Sequence, residues 1–146
     1  MTRRRRKKLS GRLVDAALIG DLTRVRALLR AGAPAETANS AGTTPLYQAA
    51  VDGDAGIVRA LLAAGASPDT ESGIGSEGTP LCGAACWGHV EVVRALLEHG
   101  ADPNLREDHG TGWSPLDWAA RGPHPETGEL LLAAGARRRG ELAEHS

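Results

Sequence analysis

The sequence contains no phenylalanine and only one tyrosine among its 146 residues. Its core must therefore be built from leucine, valine, isoleucine and alanine. Cysteine is almost as scarce: Cys82 and Cys86 are the two present. They stand four residues apart on one predicted helix, where side chains share a face but rarely meet in disulfide geometry. That usage excludes a disulfide scaffold and fits a reduced, cytoplasmic compartment. No apolar run approaches the roughly 18 residues that a membrane-crossing helix needs. The basic start is followed by Leu9 to Asp15, interrupted by Arg12 and Asp15, so the apolar segment of a secretory signal is missing. Catalytic motifs are missing too. Gly73-Ile74-Gly75 lacks the following lysine and the strand–loop–helix setting of a phosphate loop. Ser, His and acidic residues occur without any nucleophile motif. No catalytic residue and no cofactor are expected, and the chain is read as not an enzyme.

Charge is unevenly spread. Formal net charge is −1, yet Arg3, Arg4, Arg5, Arg6, Lys7 and Lys8 carry +6. A run of like charges predicts a disordered basic tail over residues 1–10. Such a tail suits phosphates or anionic surfaces through salt-sensitive, sequence-blind attraction. No aromatic residue is interleaved with it for base stacking.

What is abundant is repetition. Gly-Ala pairs recur at Gly32, Gly65, Gly100 and Gly135, at steps of 33, 35 and 35. Each closes a segment of the form R-A-L-L-x-x-G-A or E-L-L-L-x-x-G-A. Thr44-Pro45-Leu46, Thr79-Pro80-Leu81 and Ser114-Pro115-Leu116 keep the same beat, each 35 residues from the next. A hydroxyl residue before proline predicts a capped helix start, with proline where no hydrogen bond is lost. Gly53 and Gly88 then end a first helix. Ile57, Val58, Leu61 and Leu62, and after them Val92, Val93, Leu96 and Leu97, form one buried face of a second helix. No single unit can bury that face, so the units must stack.

Gly78 to Asn104 reads G-T-P-L-C-G-A-A-C-W-G-H-V-E-V-V-R-A-L-L-E-H-G-A-D-P-N and closely resembles an ankyrin repeat. Gly42 to Asp69 keeps most of the pattern. The first unit lacks T-P-L but keeps Gly20-Asp21 and Arg26-Ala27-Leu28-Leu29. The last departs at Gly122-Pro123-His124-Pro125. The resemblance covers residues 11–137 and implies an all-α ankyrin-repeat solenoid. About four helix-turn-helix repeats are expected, at 11–38, 39–71, 74–106 and 109–139, with short hairpin-like finger loops and a flexible tail over 140–146. Arg24, Arg26 and Arg30 in the first repeat, and Thr127, Gly128 and Glu129 in a shortened last helix, predict polar caps and a complete array. Cys82 stands where the family's T-P-L-H pattern has histidine, as Tyr47 and Asp117 do in the other copies, which predicts modest stability.

The resemblance also implies a function, recognition of a protein partner through a concave groove and the fingers. The implied contact residues are Trp87 and Trp113, joined by Leu18, Ile19, Val51, Asp52, Cys86 and Arg121 in the groove, and by Thr43, Arg106 and Thr111 on the fingers. Tryptophan is enriched among residues that dominate binding. Leu18 and Ile19 have a second reading, cover by the N-terminal tail. Trp118 is assigned to packing, over the vacant Gly83 one repeat earlier. Cys82, Cys86 and His89 form C-x3-C-x2-H, but each occupies an ordinary repeat position and no fourth ligand is suitably spaced, so no metal is expected. His109 and His124 are expected in solvated loops. A monomer acting as adaptor, inhibitor or regulatory subunit is the leading reading. The alternative is an accessory to nucleic acid or an anionic surface, acting through the basic tail.

Overall fold

A computed structural model describes residues 2–74 and 77–138. Among them lie nine helical segments: α1 (Arg3–Ile19), α2 (Leu22–Arg30), α3 (Pro45–Asp52), α4 (Ala55–Ala63), α5 (Pro80–Trp87), α6 (Val90–Glu98), α7 (Glu107–Gly110), α8 (Pro115–Arg121) and α9 (Pro125–Ala133). The pairs α1/α2, α3/α4, α5/α6 and α8/α9 are the four repeats. First helices pack in series, α1 on α3, α3 on α5 and α5 on α8, and second helices do likewise, α2 on α4, α4 on α6 and α6 on α9. The result is a two-layer solenoid.

The helix starts follow from side-chain chemistry. Thr44, Thr79 and Ser114 accept the backbone N–H of Tyr47, Cys82 and Asp117, and each is followed by proline. These hydroxyls satisfy donors that no helical carbonyl can reach. Asp21 and Asp54 cap α2 and α4 in the same way. Gly20, Gly53 and Gly88 end the first helices in left-handed conformation, at φ of 83°, 77° and 72°. Between the layers, Val25, Ile57, Leu61, Val92, Leu96 and Leu131 are fully buried, and the alanines of the first helices bring the layers close.

Three expectations are corrected. The basic run is helical, not a disordered tail: α1 begins at Arg3, with Thr2 accepting the Arg5 N–H. Arginine, lysine and leucine are strong helix formers, and α1 is one continuous element whose C-terminal half is anchored by Leu13, Ala16 and Ala17 in the core. The last helix is not shortened, since α9 has nine residues, as do α4 and α6. Nor is Thr127 part of a polar outer face. It takes the place of Ile57 and Val92 and is fully buried, its hydroxyl without a partner. Only Glu129 of that trio is exposed. The expected tail over 140–146 lies outside the described residues.

Polar links repeat along the array. The Glu36 carboxylate accepts the Ser67 N–H, Asp69 accepts the Asp102 N–H and the Asn104 amide oxygen accepts the Arg137 N–H. The fingers are irregular: an isolated antiparallel bridge between Ser72 and Gly78 is the strand-like pairing among the described residues. The Ser72 hydroxyl accepts the Thr44 N–H and donates to Glu77, which ties the second finger to the base of α3. In the third finger, Asp108 and His109 turn left-handed, at φ of 49° and 54°. Arg106 Nε donates to the Gly112 carbonyl at 2.7 Å and closes that turn.

Candidate functional site

The C-terminal ends of the first helices carry Leu18 and Ile19 on α1, Val51 and Asp52 on α3, Cys86 and Trp87 on α5, and Arg121 on α8. Series packing of these helices sets the residues in a row. Leu18 is 59% exposed, Ile19 73% and Trp87 64%. The described part of the N-terminal segment leaves Leu18 and Ile19 open, because it is helix α1 itself and runs away from them. Ile74, in the second finger, is 84% exposed and was not singled out from the sequence. Among the described residues, four of the five large exposed apolar side chains thus belong to the first-helix ends and a finger; the fifth is Leu132. Large apolar groups left in water on one face need a reason beyond folding.

The remaining candidates are more constrained. Val51 is half-buried, and its carbonyl accepts His89 Nε2. Asp52 is exposed and accepts from Gln48 at 3.0 Å. Trp113 is half-buried, packed at 4.8 Å against Trp118 with the rings tilted by 49°, and the Arg121 guanidinium lies over its ring, also at 4.8 Å. This three-residue cluster joins the third finger to α8. Thr111 is exposed, its hydroxyl donating to the Asp108 carbonyl. Thr43 is buried and donates to Glu77. It cannot present a side chain to a partner, which corrects its placement among the contact residues: the finger folds back over it.

Trp118 is also corrected in detail. A Cβ on Gly83 would meet Val51 at 2.7 Å and Tyr47 at 3.3 Å, so the preceding repeat fills the space over that glycine. Trp118 packs against Trp113 and the core instead. Its indole nitrogen is sealed from solvent and meets no partner in full hydrogen-bond geometry. It still lies close enough to Glu107 to favour that carboxylate's charged form.

His124 is not a solvated loop residue. Its Nε2 donates to the Cys86 carbonyl at 3.0 Å, as His89 does to Val51. Cys82 is buried, and its thiol lies 3.9 Å from the Leu105 carbonyl and 3.7 Å from that of Trp113, weak bonds to the next finger. Cys82, Cys86 and His89 therefore serve three separate contacts. His109 remains exposed, with Nδ1 3.6 Å from Glu71.

One constellation had no sequence signal. Between the second and third fingers and the ends of α3, α5 and α8 lies a recess of about 330 Å³, lined among others by Tyr47, Glu77, Trp87, Glu107, Asp108 and Trp118. Glu107 reaches it because its side chain lies against the Gly78 backbone, where any Cβ would collide. Burial raises the Glu107 pKa above the ordinary glutamate value, helped by Asp108 and Glu71, while the Trp118 indole and Cys82 thiol oppose the shift. Burial likewise raises Tyr47 to about 12, with Glu77 and Glu107 adding to the shift. Spacing along the chain could not reveal this site, because it draws on three repeats at offsets set by loop folding.

No helix of the described residues is long and apolar enough to cross a membrane. A comparison with curated proteins found no match. The family model for ankyrin repeats (3 copies) matches residues 13–107 and 76–139. With that match over most of the chain, and helix pairs at the matched positions, the chain belongs to the ankyrin repeat family.

Proposed function

We propose that this chain binds a protein partner through the groove at the first-helix ends and through its fingers. Repeats of this family generally mediate protein–protein interaction and are typically not enzymes. The observation that carries the reading is the exposure of Leu18, Ile19, Trp87 and Ile74 along one row of helix ends and a finger. A rigid stacked scaffold holding apolar anchors in water can bind without an ordering cost. Trp87 is the central anchor, and Arg121 over Trp113 forms a second contact point. Val51, Cys86 and Arg106 act as supports, with Asp52 and Thr111 at the polar rim. The protein acts as a monomeric adaptor, inhibitor or regulatory subunit in the reducing cytoplasm, where two free thiols are stable.

The test is affinity capture under nuclease treatment with three chains: native, Trp87→Ala with Leu18→Ser, and one with glutamine at Arg3, Arg4, Arg5 and Arg6. Neutralisation replaces deletion because the run belongs to α1. A stoichiometric protein lost with the groove variant and kept with the glutamine variant supports the groove. Capture that ignores the groove variant but vanishes with nuclease or charge removal makes the basic helix turn the working part.

A further inference from the structure

We propose that the recess between the second and third fingers is a receptor for one arginine side chain of the partner. This rests on the groove reading above and names the chemistry its partner must present. The carboxylates of Glu77, Glu107 and Asp108 and the rings of Tyr47, Trp87 and Trp118 line the same cavity. The recess is thus more than an acidic patch: it pairs negative charge with aromatic surface around one concave volume. At about 330 Å³ it lies at the low end of the roughly 300–1,000 Å³ usual for ligand sites, which suits one long side chain.

The charge is uncompensated. No basic residue lines the recess, and among the described residues no ion pair engages Glu77, Glu107 or Asp108. Arg106, next to Glu107 in the chain, bonds the Gly112 carbonyl, and Arg121 lies over the Trp113 ring. Glu77 and Glu107 are half-buried without a cation, which is costly, and a guanidinium supplies what is missing. Its planar fork matches carboxylate oxygens, and its flat face stacks on tryptophan or tyrosine. Lysine offers a point charge that makes less use of the rings. Glu77 already accepts Thr43 and Ser72, which holds it in place as a fixed acceptor. Glu107 and Asp108 line the same cavity without a basic partner, and the Trp118 indole and Cys82 thiol lie beside the Glu107 carboxylate.

The full chain supplies its own reporters, since three tryptophans give three indole N–H signals in a nitrogen–proton correlation spectrum. The probes are the blocked pentapeptides Gly-Gly-X-Gly-Gly, with arginine, lysine, norleucine or glutamate at X. The arginine peptide is expected to shift the Trp87 and Trp118 signals saturably. Norleucine and glutamate should leave them unmoved, and lysine should bind more weakly. Glu107→Gln, and separately Asp108→Asn, should weaken arginine binding by about tenfold, as loss of one close charge partner does. Asp108 is exposed and left-handed, a conformation asparagine accepts, so that variant keeps its fold if Glu107→Gln does not.

Equal shifts with norleucine, equal binding of lysine, no saturable shift with arginine, or binding untouched in both variants would each overturn the proposal. If arginine fails while Trp87→Ala still abolishes partner capture, this inference falls and the groove stands. If arginine binds but capture ignores Trp87→Ala, the groove reading falls instead.

Discussion

The imidazole Nε2 of His89 lies 3.0 Å from the carbonyl oxygen of Val51 in the preceding repeat. A carbonyl only accepts, so Nε2 carries the proton. His124 repeats the contact with Cys86 at 3.0 Å. Both rings sit against a glycine that ends the preceding repeat's first helix. A Cβ on Gly53 would lie 2.7 Å from the His89 ring, and Gly88 is crowded by His124 in the same way. The glycine thus serves twice, supplying left-handed backbone and leaving room for the next repeat's histidine. Where Asp21 and Asp54 cap their own helices, His89 and His124 at the same position bond across the repeat boundary.

Loss of this bond has a defined cost. His89→Ala or His124→Ala orphans a carbonyl and opens space beside glycine, so each should lower unfolding stability by about 1–2 kcal/mol. Gly53→Ala should cost at least as much, because backbone strain and ring displacement coincide there. Urea titration of each variant measures this, and an unchanged His124→Ala midpoint would refute the role of the bond.

Thr127 is fully buried with an unpartnered hydroxyl, at the position of Ile57 and Val92. Thr127→Val keeps the shape and removes the stranded polar atom. It should stabilise the protein by about 1 kcal/mol, seen as a rise of a few degrees in Tm. A fall in Tm would mean that the hydroxyl is satisfied in solution.

Tyr47 is the single tyrosine, so its ionisation can be followed by absorbance alone. Its folded pKa is raised from 10.0 to about 12. A raised acid stabilises the fold fully below its unfolded value, and that contribution is lost as pH rises through the folded one. Burial raises the Cys82 thiol in the same direction. Alkaline titration should therefore show tyrosinate appearing late and together with unfolding, but near its ordinary value in denaturant. Free titration near 10 in the folded protein would contradict the burial.

Glu107 is also raised, chiefly by burial. The same sign applies: its contribution favours the fold while protonated and is lost as pH rises through its raised pKa. At neutral pH its ionised form is a net liability. Glu107→Gln should raise Tm at pH 7, with the gap closing as pH falls into the ordinary glutamate range. Melting curves across that range test the sign, and a lower Tm for the variant at pH 7 would reverse it.

Much of the fold was legible in the sequence because its signals are local. The T-P-L caps, the left-handed Gly53 and Gly88 and the buried stripe from Ile57 to Leu62 act within one or two turns, and a fixed period multiplies each of them. The helix from Arg3 was misread because charge repulsion was weighed without the anchoring of Leu13, Ala16 and Ala17 further along the same helix. His124 and Thr127 were misread because the departures near Gly122 hid their register with His89 and Val92.

The sequence by itself determined the repeat count, the capped starts of α3, α5 and α8 and the apolar row of Leu18, Ile19 and Trp87. Only the tertiary structure decided that Thr43 is covered, that Val51 rather than Trp118 fills the space at Gly83, and that Glu77, Glu107 and Asp108 meet around Tyr47, Trp87 and Trp118. Helix signals repeat with the backbone period and can be read along the chain. The recess depends on how two fingers of unequal shape fold back onto neighbouring repeats, and no local propensity encodes that.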